Sequence, residues 1–117
     1  MEEGNVVITP LLHADGLAKR RPAVILRDLP AYQDVLVCGI STQLRQYVAG
    51  FDEIISSDDD DFVQSGLTYT SVIRLGFLVA IPNKRVLGII GVISSERHDR
   101  LLRNLSAYLV ENSKNAT

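Results

Sequence analysis

A small antiparallel sheet, curved and closed by one long C-terminal helix, is the architecture this sequence predicts: an α+β fold, mainly β. Three observations predict it. Short β-branched runs separated by turn residues fill the chain from residue 5 to residue 93. Glycines inside those runs let so short a sheet curl. Only the last segment has helical spacing, with Leu101, Leu102, Leu105 and Leu109 recurring on one face.

Asn5 to Thr9 reads as the first strand, ended by Pro10. Leu11 to Arg20 is a loop holding His13, Asp15 and Gly16. Pro22 to Leu26 is apolar on both faces and so predicts a central strand. Arg27 to Asp34 is a turn. Val35 to Ser41 is the third strand and ends on a hydroxyl. Thr42 to Ala49 is a polar loop, and Phe51 to Ile55 a short strand. Four adjacent acids, Asp58 to Asp61, predict a solvated loop rather than a cation site, since the spaced ligands and glycine of a calcium loop are missing. Ser71 to Ala80 is a long strand with Gly76 as a bulge or bend. Pro82 to Arg85 is a turn, and Val86 to Ile93 continues the sheet. Ser94 or Ser95 caps the helix, which runs to about Val110.

The 117 residues, 46% of them hydrophobic, predict one domain with a core from about 4 to 110 and a polar tail from 111 to 117. Cys38 is the one cysteine, so an intrachain disulfide and a cysteine-based metal site are excluded. It lies in an apolar run that predicts a buried thiol. A cytoplasmic protein fits, with no transmembrane run or signal pattern. The net charge of −2 argues against broad, charge-driven nucleic-acid binding, but leaves room for a local cationic site.

The standard enzyme signatures fail. His13 and His98 are the only histidines, and His98 is expected to face solvent from the helix. No serine has a hydrolase elbow, and no glycine-rich phosphate loop is present. What remains is Lys19-Arg20-Arg21-Pro22, three cations running straight into an apolar strand. The proline holds the preceding residue extended. Arg21 thus sits at the rim of a core, with a guanidinium shaped to grip phosphate. In an antiparallel meander the start of strand two and the end of strand three share an edge. Arg21, Ser41, Thr42 and His13 could then surround a phosphodiester. On spacing alone, Ser41 and Thr42 read more simply as satisfying turn backbone.

Taken in order, Gly4-Asn5-Val6-Val7-Ile8, Arg21-Pro22-Ala23-Val24-Ile25-Leu26, Gly39-Ile40-Ser41-Thr42, Gly66-Leu67 with Ser71-Val72-Ile73, and Leu87-Gly88-Ile89-Ile90-Gly91-Val92-Ile93-Ser94 resemble the blocks of the MazF/PemK toxin family. The likeness spans about residues 4 to 109. It implies an SH3-like barrel working as a homodimer and paired with an antitoxin protein. It also implies cofactor- and metal-independent cleavage of single-stranded mRNA. In that chemistry the 2′-hydroxyl attacks the neighbouring phosphate and leaves a 2′,3′-cyclic phosphate. By position, Arg21 would be the main catalytic cation. Ser41 would be the catalytic hydroxyl with Thr42 beside it, His13 an auxiliary group and Arg74 a second arginine. Lys19, Arg20 and Gln43 would contact RNA. Gly76 stands where members with that second arginine often carry an aspartate. The resemblance leaves open a member that binds a protein or nucleic acid without cutting it.

Overall fold

The computed structural model describes residues 1–12 and 15–111. Six strands form one antiparallel sheet: β1 (Asn5–Leu12), β2 (Ala18–Asp28), β3 (Asp34–Ser41), β4 (Glu53–Ile55), β5 (Ser71–Pro82) and β6 (Gly88–Val92). Their order across the sheet is β4-β5-β3-β2-β1-β6. A short helix, α1 (Phe62–Ser65), precedes β5, and a long one, α2 (Ser95–Leu109), ends the described chain.

The central strands are β2 and β3, and their sequence explains why. Ala23, Val24, Ile25 and Leu26 are all fully buried, so both faces of β2 are covered. Val24, Leu26, Cys38 and Ile40 pack with Leu101 and Leu105 of α2 on one face. Ala23, Ile25, Val35 and Val37 pack with Leu11 and Ile81 on the other. Burial pushes the Cys38 thiol up to about 12, so the expected inert cysteine is what the fold contains.

The first two strands run longer than expected. Pro10 does not end β1, because β6 pairs only with Asn5 to Ile8, leaving an open edge beyond. There the absent N–H of proline costs no ladder bond. Pro22 is tolerated inside β2 for the same reason, since pairing with β3 begins at Ala23. Beyond those points β1 and β2 continue alone as a ribbon, Thr9 opposite Arg21 and Leu12 opposite Ala18. The expected bulge at Gly76 is present. Cys38 pairs with Leu78 but Gly39 pairs with Arg74, so Leu75, Gly76 and Phe77 are extra on β5.

Ser94 caps α2, its hydroxyl accepting from the Arg97 N–H at 3.1 Å. His98 departs from expectation. It is half-buried, and its Nε2 lies 2.8 Å from the Leu26 carbonyl. A carbonyl only accepts, so Nε2 carries the proton. The cause is a second bulge: the β2–β3 register shifts between Ile25 and Arg27, freeing the Leu26 carbonyl for the helix.

The acidic run also departs from expectation. Asp61 is 3% exposed and accepts from Arg97, as does Asp59. Arg97, from a distant helix, removes Asp61 from water and pairs with the half-exposed Asp59. Asp58 and Asp60 stay exposed as expected.

Helix α1 reaches β6 through a close backbone approach. Gly66 ends α1 at φ +74°, and a Cβ there would meet the Ile90 carbonyl oxygen at 2.1 Å. Gly66→Ala should therefore lower stability by about 3 kcal/mol, combining left-handed strain with a backbone clash. A urea midpoint within error of wild type would contradict this close approach.

Candidate functional site

The register of β2 and β3 assembles the site. Arg21, Ala23 and Ile25 share one strand face, as do Val37, Gly39 and Ser41. Ala23 pairs with Gly39. Arg21 lies two residues before that pair and Ser41 two residues after it, so they confront each other just where pairing has stopped. Arg74 is paired with Gly39 from the far side. Glycine is required at this crossing point, because a Cβ on Gly39 would come 2.9 Å from the Phe77 ring. The bulge carries that ring over Gly39, and the Arg74 guanidinium sits 5.8 Å from its centre.

The result is a groove of about 520 Å³ lined by Arg21, Ser41, Thr42, Gln43 and Arg74, among others. Its other wall is the segment from Gly66 to Tyr69 that follows α1. Among the described residues two arginines and no aspartate or glutamate line it, so it is a local cationic site on a chain of net negative charge. The acidic run does not line the groove.

Ser41 serves the turn as well as the groove. Its Oγ accepts from the Gln43 N–H at 3.0 Å, which leaves its own hydrogen to donate. Asp52 fixes the loop behind it. This carboxylate is 5% exposed and accepts from the Val48 and Leu75 N–H groups, both at 3.0 Å. It thus ties the loop after Ser41 to β5 beside the bulge.

Of the residues singled out from sequence, Arg21, Ser41, Thr42, Gln43 and Arg74 are brought together. His13 lies outside the described residues. Lys19 and Arg20 are exposed on the ribbon and do not line the groove. Lys19 has Asp15 3.7 Å away, and strand alternation turns Arg20 from the face of Arg21. Sequence reasoning gave no role to Gln46, which lines the groove from the end of a 3-10 turn, Leu44–Gln46. Nor did it give one to Tyr69, which is 68% exposed on the opposite wall. No spacing rule marks either residue.

Among families, residues 2–109 match the one described as the PemK-like, MazF-like toxin of type II toxin–antitoxin systems. Among solved structures, the Mycobacterium tuberculosis toxin MazF-mt6 matches with a TM-score of 0.66 and 22% sequence identity. The match covers 90% of this chain and 95% of that one, and at this identity it supports the fold. No curated protein sequence matches.

Proposed function

This chain belongs to the PemK-like, MazF-like toxin family of type II toxin–antitoxin systems, and from that premise we propose that it is a metal-independent endoribonuclease cutting single-stranded mRNA. The observation that carries the proposal is the groove with Arg21, Ser41, Thr42 and Arg74 on its walls and no carboxylate among its described lining residues. In the reaction, the ribose 2′-oxygen attacks the adjacent phosphorus. A dianionic phosphorane forms, the 5′-oxygen leaves, and a 2′,3′-cyclic phosphate and a 5′-hydroxyl remain.

Arg21 stabilises the phosphorane, since developing charge on two equatorial oxygens suits a guanidinium fork. Arg74 adds a second cation. Ser41 donates its hydroxyl to a phosphoryl oxygen, with Thr42 adjacent. An arginine is too basic to move protons at neutral pH. His13 is the proposed proton carrier, because histidine ordinarily titrates near 6.5. The test is incubation of a long single-stranded RNA with the protein in EDTA. Discrete cuts ending in cyclic phosphate are expected, and an intact substrate would overturn the proposal.

The alternative is a family member that binds without cutting. Gly76 favours it, because a bare bulge stands where related sites often have a carboxylate. The same cationic groove suits the acidic, extended tail of a cognate antitoxin. The whole chain, 1–117, acts as one domain in this reading.

The functional unit is a homodimer. Edge strand β6 exposes Ile89 at 52% and Val92 at 38%, and Leu87 just before it is exposed at 53%, which together make an apolar rim. Light scattering at micromolar protein should give twice the 12.9 kDa chain mass. A value near one chain would contradict the dimer.

A further inference from the structure

We propose that Phe77 is the positioning residue for Arg74: its ring, seated on Gly39, holds the Arg74 guanidinium toward a phosphodiester bound in the groove. The inference deepens the reading of the groove as an RNA site and rests on it. Side-chain alternation alone would put these two residues on opposite faces of β5, because their positions differ by an odd number. The bulge cancels that. Ile73 and Leu75 pack into the core beneath α2, so Arg74 points to the other face. Beyond the extra residues the alternation has changed phase, and Phe77, Val79 and Ile81 pack on the core of that other face. Phe77 thus returns to the side of Arg74, whose guanidinium carbon stands over the ring, 5.8 Å from its centre.

Among the described residues Arg74 forms no ion pair with a carboxylate. It is half-buried and lines the groove, as does Phe77. A long cationic side chain with nothing to rest on samples many rotamers, and substrate binding must then freeze it. An aromatic face narrows those rotamers and leaves the positive charge in place. A carboxylate would also hold the guanidinium, but it would offset the field that a developing dianion needs. The ring is itself fixed. It packs against the cluster that includes Val7, Ile25 and Ile81. Gly39 leaves the room it occupies, since a Cβ there would come 2.9 Å from a ring carbon.

The test is a double-mutant cycle of Phe77→Leu and Arg74→Ala, each variant checked for folding by thermal melt. Phe77→Met serves as the ringless variant if the leucine variant melts early. Two quantities are read: cleavage of a labelled single-stranded RNA, and fluorescence anisotropy of a single-stranded DNA hexamer, which lacks the 2′-hydroxyl and is not cut. Phe77→Leu should lower kcat/KM about tenfold and weaken the DNA complex about threefold. Phe77→Tyr keeps the ring and should keep most of the rate. In the Arg74→Ala background, Phe77→Leu should change nothing further, whereas a ring that only supported the core would impose the same loss in both backgrounds. Equal losses in both backgrounds, or a wild-type rate in folded Phe77→Leu or Arg74→Ala, overturn the inference. Coupled losses in DNA binding with no cleavage of RNA would overturn the ribonuclease proposal alone. Cleavage with additive losses would overturn the Phe77 reading alone. A wild type that neither cuts RNA nor binds DNA would overturn both.

Discussion

Arg21→Ala should lower RNA cleavage by about 10²–10³-fold while leaving the fold intact, the range found when one preorganised donor to a developing oxyanion is removed. The physical case rests on position. Arg21 is exposed at the point where β2 leaves β3, and the core begins only at Ala23. Truncation therefore removes no buried apolar surface, and the thermal midpoint should stay close to wild type. Arg21→Lys separates charge from shape. It keeps the cation but not the two-pronged donor, so it should recover only part of the rate. Initial rates on one labelled RNA, read alongside melting curves, give the answer. A folded Arg21→Ala that cuts at the wild-type rate would remove Arg21 from the chemistry and leave Arg74 as the cation to test.

Why Arg21 could be found from sequence, and Gln46 could not, is a matter of what fixes each position. Arg21 is set by Pro22 and by a strand buried on both faces, which are local features. Ser41 is set by the end of an apolar run. The helix was legible through its leucine spacing and Ser94, and the bulge through Gly76. Pro10 and Pro22 misled because a proline's effect depends on whether its edge is paired, and pairing is a property of the sheet. His98 misled in the same way, since its partner is a carbonyl freed by a bulge 72 residues away in sequence. Gln46 depends on a loop pinned by Asp52 from another segment, so no short pattern announces it. Local chemistry was readable, whereas long-range polar partnerships were not.

Arg97 is the strongest case of such a partnership, and Arg97→Met should destabilise the protein by about 3–5 kcal/mol. All five donors of its guanidinium are used. Nε and Nη2 hold the two oxygens of Asp61 at 2.8 and 3.0 Å. Nη2 also meets Asp59 at 2.9 Å, and Nη1 meets Glu53 and the Ile54 carbonyl, each at 3.0 Å. Asp61 additionally accepts from the Ser94 N–H at 3.0 Å. One buried residue thus joins the start of α2, the start of α1 and strand β4. Burial alone would raise the Asp61 carboxyl, but the Arg97 guanidinium and the Ser94 N–H outweigh it and bring it down to about 2 from 3.8. A carboxylate lowered on folding contributes stability above its unfolded value and loses it as pH falls through the folded one. Wild type should therefore lose about 2 kcal/mol through Asp61 between pH 5 and pH 2. In Arg97→Met the sign reverses, because the stranded carboxylate is relieved by protonation, so the gap between the two proteins should narrow in acid. Arg97→Met with Asp61→Leu should recover part of the loss, since it removes the most buried carboxylate while Glu53, the Ile54 carbonyl and the Ser94 N–H still lose a partner. Urea midpoints across that pH range test all of this, and parallel wild-type and Arg97→Met curves would refute it. The consequence reaches the groove, because α1 leads directly into the Gly66-to-Tyr69 wall. The acidic run anchors that wall from behind, so half of its charge is spent on Arg97 instead of repelling an anionic strand.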